Sequence, residues 1–178
     1  MSRYLGGNYG IPQSELTKVF IDEFGYGVYN KKHSSLFEKL LISLELNANV
    51  HHYFEEYSTP SLMITNYFHY ISIRKILWPR YMGAIYYAEA TLPHINSQMD
   101  SLVTKIAPQS ERLYFTEHVE IDSYHKRMVL NKVILQLTKS QGEECLAGML
   151  QGFEELRFIS GLYEAGMIEG VICQTPPT

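Results

Sequence analysis

The amino-acid sequence predicts an all-α protein, a single domain of about seven helices packed as a bundle. Three observations carry that expectation. Apolar residues return at offsets of three and four along most of the chain, the period of a helix with one buried face. Alternating apolar–polar runs and Asn-Gly hairpin turns are absent. Prolines, glycines and short polar clusters divide the chain into pieces of helical length.

Residues 1–13 are rich in glycine and tyrosine and read as an irregular lead-in. Ser14 is suited to cap a first helix over residues 14–24, which stops at "GYG". On it Glu15, Lys18 and Asp22 make a solvent face, and Leu16, Val19 and Phe20 make the buried one. A second helix covers residues 33–46, with Leu36, Phe37, Leu40, Leu41 and Leu44 on one side. Residues 50–57 form a short helix, and Pro60 opens the next, which reaches about Leu77. After Pro79 a helix over residues 81–92 is ended by Pro93, and another covers residues 95–106 before "APQS". Residues 111–139 are one long periodic run, after which "SQGEE" and several glycines loosen the pattern. Residues 171–178 read as a tail, so that the whole of 1–178 forms one domain.

With 178 residues, 46% of them apolar and 19% charged, the chain has the length and composition of a globular domain with its own core. A net charge of −4 supplies no attraction for nucleic acid or for an anionic membrane. Cys145 and Cys173 make neither a zinc-type cluster nor a disulfide framework, and read as reduced thiols of a cytoplasmic protein. No leading run resembles a signal peptide, and no stretch is long enough to cross a bilayer. The expected partner is a small-molecule substrate.

The informative residues are polar ones on apolar helix faces. Glu23 falls four residues after Val19 and three after Phe20; His33 begins the stripe of Leu36, Phe37 and Leu40. Glu89 follows Met82, Ile85 and Tyr86 on their own side. His118, Asp122 and His125 stand at offsets of four and seven, on a stripe shared with Phe115 and Val129. A buried carboxylate without a partner is costly, so each such group needs hydrogen bonds, an ion pair or a metal. One of them alone reads as a satisfied core residue. Six on four helices match the way helical bundles hold two iron or manganese ions, with a buried hydrogen-bonded network as the plainer alternative. The Glu-x-x-His pair of ferritin-like sites is absent.

The ordered set E-x9-H, a lone glutamate and H-x3-D-x2-H stands in "IDEFGYGVYNKKHSSLFEKLLISLEL", "YMGAIYYAEATLP" and "YFTEHVEIDSYHKRM". Together these pieces resemble the haem-oxygenase-like diiron oxidases, or iron-containing redox enzymes, over roughly residues 15 to 170. The resemblance implies a haem-oxygenase-like bundle that binds iron rather than haem. It implies Glu23, His33, Glu89, His118, Asp122 and His125 as ligands of two ferrous ions, with O2 as co-substrate and Glu89 as the carboxylate between the ions. Relatives oxidise amino acids, their derivatives or fatty acids by N-oxygenation, oxidative C–C cleavage or decarboxylation, so an amino acid or derivative is the expected substrate. Arg157 is then a candidate for holding a substrate carboxylate, although pairing with Glu154 or Glu155 is the plainer role. Many relatives carry an upstream helix with a further carboxylate. "MSRYLGGNYG" offers none, which leads to the expectation of a site with fewer protein ligands. His94, five residues after Glu89, reads as a surface or capping histidine, with an extra ligand as the alternative. A homodimer is compatible with the sequence, and the electron donor is unspecified. Two other readings compete: a metal-independent helical protein with a polar binding pocket, and haem binding through one proximal histidine, which leaves five inward polar residues unexplained.

Overall fold

A computed structural model describes residues 2–5, 10–49 and 51–174, apart from the side chains of Ser2, Leu5 and residues 169–174. The Cys173 thiol and residues 175–178 of the expected tail therefore lie outside the described residues. Regular structure among the described residues is entirely helical: α1 (Ser2–Leu5), α2 (Ile11–Glu23), α3 (His33–Ser43), α4 (Thr59–Ile73), α5 (Trp78–Ile106), α6 (Leu113–Met128) and α7 (Leu135–Gln174).

Several boundaries differ from the sequence expectation, each for a local reason. The lead-in is not wholly irregular. Tyr4 of α1 is buried, its phenol donates to the carbonyls of Ile71 and Arg74, and its ring packs against Trp78 and Tyr81. Helix α2 starts at Ile11 rather than Ser14, because Pro12 fits the first turn, where its missing N–H costs nothing. Residues 50–57 do not form an α-helix; only a 3-10 turn over Phe54–Glu56 is present. Upstream, the Asn47 and Asn49 side chains accept from the backbone N–H groups of Asn49 and His51, local bonds that compete with helix formation. Ser58 caps α4 by accepting from the Ser61 N–H.

The largest correction concerns Pro93, which lies inside α5 rather than ending it. Its ring removes the N–H that would bond the Glu89 carbonyl. Side chains support the backbone on either side: Thr91 Oγ1 donates to the Tyr87 carbonyl and Asn96 Nδ2 to that of Leu92, both at 2.9 Å. Because α5 packs along both α6 and α7, tertiary burial outweighs the one lost bond. The long run from residue 111 is also subdivided. Helix α6 passes through a π-helical stretch, Val129–Ile134, into α7, and Gly142 in "SQGEE" (φ 80°, ψ −166°) breaks the helical path there.

Two apolar clusters bracket the middle of the α5–α6 pair. The larger joins Leu16 and Val19 of α2, Met82 and Ile85 of α5, Met128 of α6, Val129, Val133 and Ile134 after it, and Met149 and Leu156 of α7. The smaller joins Leu40, Val103 and Phe115. Following α5 and α6 from one cluster to the other passes Glu89, His118, Asp122 and His125, all buried. The close crossing of α5 and α7 holds this frame. A Cβ at Gly83 would lie 1.8 Å from the Met149 carbonyl oxygen, and one at Gly152 would lie 1.9 Å from that of Arg80.

Backbone cannot move aside as a side-chain tip can, so Gly83→Ala and Gly152→Ala should each cost about 3 kcal/mol or more. Gly161, also on α7, has nothing within 4 Å of the added atom. There alanine should stabilise by about 0.5–1 kcal/mol through helix propensity. Thermal denaturation of the three variants measures the contrast.

Candidate metal centre

Four helices deliver the inward polar residues to two groups. Glu23 at the end of α2, His33 at the start of α3 and His118 of α6 form the first; Glu89 of α5 with Asp122 and His125 of α6 form the second. Within each group the donor atoms all lie within 4.8 Å of one another. Glu23 and His33 meet because the chain reverses between them through a left-handed turn, Gly25, Tyr26 and Gly27, with φ of 57°, 55° and 79°. Gly25 is required twice over: by its φ, and because a Cβ there would lie 2.4 Å from the Lys31 carbonyl carbon.

In the first group His33 Nδ1 lies 3.0 Å from Glu23 Oε2 and 3.1 Å from His118 Nε2. The other nitrogen of His118, Nδ1, lies 2.7 Å from the Tyr114 carbonyl oxygen. A carbonyl only accepts, so Nδ1 carries the proton and Nε2 presents a lone pair to His33. The Tyr114 ring packs on His118 with centroids 4.3 Å apart, and burial pushes its phenol up to about 12. Burial works against charge on His33, but the Glu23 carboxylate outweighs it and leaves the imidazole above its ordinary value.

The second group is drier. His125 is fully buried, with Nδ1 3.3 Å from Glu89 Oε2 and 3.7 Å from Asp122 Oδ1. Glu89 Oε2, both Asp122 carboxylate oxygens and His125 Nδ1 are buried without a hydrogen-bond partner. Burial pushes the Glu89 carboxyl up. On His125 burial acts downward, but Asp122, Glu89 and Asp22 prevail and push the imidazole up to about 10. Four unsatisfied polar atoms at one buried point are the signature of a missing positive charge.

These donors fit a metal. Ligands on adjacent corners around an ion with bonds of about 2.1 Å stand roughly 3 Å apart, and the separations of 3.0, 3.1 and 3.3 Å agree with that edge. Mixed imidazole and carboxylate donors suit a first-row ion such as ferrous iron.

All six inward residues named from the sequence fall in these two groups, with Glu89 beside Asp122 and His125. His94 is exposed. Arg157 is on the outer face of α7, where its guanidinium pairs with Glu154 at 2.6 Å. Asp22 is the residue the sequence reading misplaced. It is not on a solvent face: its side chain is 11% exposed and its Oδ2 accepts from His125 Nε2 at 2.8 Å. Asp22 and Glu23 are adjacent at the end of α2, and a helical wheel offers one inward position there. The remaining signal was the acidic pair itself, unfavourable at a helix C-terminus.

A family profile described as iron-containing redox enzyme matches residues 7–156. A nitrosourea synthase from Streptomyces achromogenes subsp. streptozoticus is 41% identical over 160 residues, 89% of this chain and 34% of the relative. The chain thus spans about a third of the length of that curated relative. It belongs to the family of iron-containing redox enzymes. Among the described residues no helix is long and apolar enough to cross a membrane.

The raised His125 imidazole sets a pH dependence for the metal-free protein. Folded His125 holds its proton more tightly than the unfolded chain, so its stabilisation is complete below about pH 6.5. It is lost as pH rises toward about 10. Raised Glu89 acts in the same direction, beginning at lower pH. The Tm measured in chelator should therefore fall steadily above pH 6.5; a Tm that rises over that interval would contradict the assignment.

Proposed function

We propose that this iron-containing redox enzyme is a non-haem diiron, O2-dependent oxidoreductase acting on an amino acid or amino-acid derivative. The observation that carries the reading is the pairing of two three-donor groups, one of which leaves four buried polar atoms without partners. Glu23, His33 and His118 would hold one ion, and Glu89, Asp122 and His125 the other. Iron bound there supplies electrons for the reduction of O2.

The chain's own residues do the rest. The Tyr114 carbonyl orients His118 by accepting a hydrogen bond from its Nδ1, and the apolar clusters on both sides exclude water from the donors other than Glu23, whose side chain is 36% exposed. The Tyr114 phenol, protonated at neutral pH and pushed further up by burial, stands beside the first group as a hydrogen-bond donor. Among the possible oxidations, N-oxygenation is favoured by the relative. A nitrosourea bears a nitroso group on a urea nitrogen, so its synthesis calls for oxidised nitrogen. Arg157, committed to Glu154, is not the residue we assign to the substrate carboxylate.

Anaerobic reconstitution with ferrous iron followed by metal analysis and O2-uptake measurements tests this function. Two irons per chain and substrate-dependent O2 uptake are expected. His118→Ala and Asp122→Ala should each lose one iron and slow uptake at least about a hundredfold, roughly 2.7 kcal/mol of barrier. A wild-type protein that binds a small molecule but no metal would replace the oxidase with the metal-independent binding protein.

A further inference from the structure

Asp22 lies outside both donor groups yet touches one of their members. It is in the last turn of α2, beside a second acid, where the helix dipole disfavours negative charge and no basic residue offsets it. Its carboxylate is nearly buried and accepts from His125 Nε2 at 2.8 Å. The two nitrogens of an imidazole point to opposite sides of the ring. Asp22 therefore sits behind His125, while Glu89 and Asp122 face its Nδ1.

We infer that Asp22 is a positioning residue of the metal centre, holding His125 in the tautomer and ring orientation that present the Nδ1 lone pair to the ion shared with Glu89 and Asp122. The inference rests on the reading of the two groups as metal sites. A neutral imidazole has one N–H, and two sets of carboxylates compete for it. If the proton lay on Nδ1 it would occupy the side of the ring that faces Glu89 and Asp122 and block the ion. Asp22 settles the competition by accepting a hydrogen bond from the Nε2 N–H, which keeps the proton there, and its charge also makes the bound imidazole a stronger donor. With Asp22 included, four carboxylates (Asp22, Glu23, Glu89 and Asp122) surround the histidines, matching the four positive charges of two divalent ions.

Anaerobic ferrous-iron titration against a competing chelator, with circular dichroism and Tm of the metal-free protein alongside, tests the role. Asp22→Ala should weaken one of the two ions about 10–100-fold and leave the other near its wild-type affinity. Asp22→Asn, close in shape and neutral, keeps an acceptor at Nε2 and should fall between the two, which preserves the test if the alanine variant folds poorly. In zinc-loaded protein, nitrogen-15 correlation spectra should show His125 protonated at Nε2 in wild type and a loss of that preference in Asp22→Ala. Equal affinities for wild type and both variants would overturn the inference, as would a parallel loss of both ions that tracks a lower metal-free Tm. Wild type that takes up no ferrous iron would instead overturn the metal-site reading on which the inference stands.

Discussion

The His125 imidazole, buried among the carboxylates of Asp22, Glu89 and Asp122, is the constraint around which the centre is organised. Negative charge on three helices converges on one ring that can carry a single positive charge. Without further cations the ring must stay protonated, and polar atoms of Glu89 and Asp122 remain without hydrogen-bond partners. On the proposed reading, cations bound here would relieve those unpaired groups, and metal binding would be coupled to folding.

The helical frame makes that convergence possible. Glycines at the α5–α7 crossing bring two backbones into contact, and α5 in turn presents Glu89 toward α6. The α2–α3 reversal through three left-handed residues places Glu23 against His33. Proline in α5 is tolerated one turn beyond Glu89 because neighbouring helices and the Thr91 and Asn96 side chains hold the backbone straight enough. All six donors stand on helices, which suits a site whose donor spacings must hold to about half an ångström.

Much of this was legible before the fold was known. The stripe of His118, Asp122 and His125 follows from the 3.6-residue period alone, and their burial is as that period requires. Glu89 was found the same way. Asp22 was not, because a wheel drawn on ideal angles cannot tell which of two adjacent acids at a helix end turns inward. Pro93 predicts a helix end by local rules, which count the lost hydrogen bond but not the two helices packed alongside. The Phe54–Glu56 turn was overdrawn as a helix because its apolar residues hide the competing bonds of Asn47 and Asn49.

By itself the sequence determined the helical class, the burial of five of the six donor side chains, Glu23 being partly exposed, and the chemistry those donor types can support. These depend on residue type and on spacing within one helix. Only the tertiary structure decided how the donors divide into two groups, which nitrogen of each α6 histidine faces them, and that Asp22 stands behind His125. Those facts depend on the rotation and translation of one helix against another, set by packing between residues far apart in the chain.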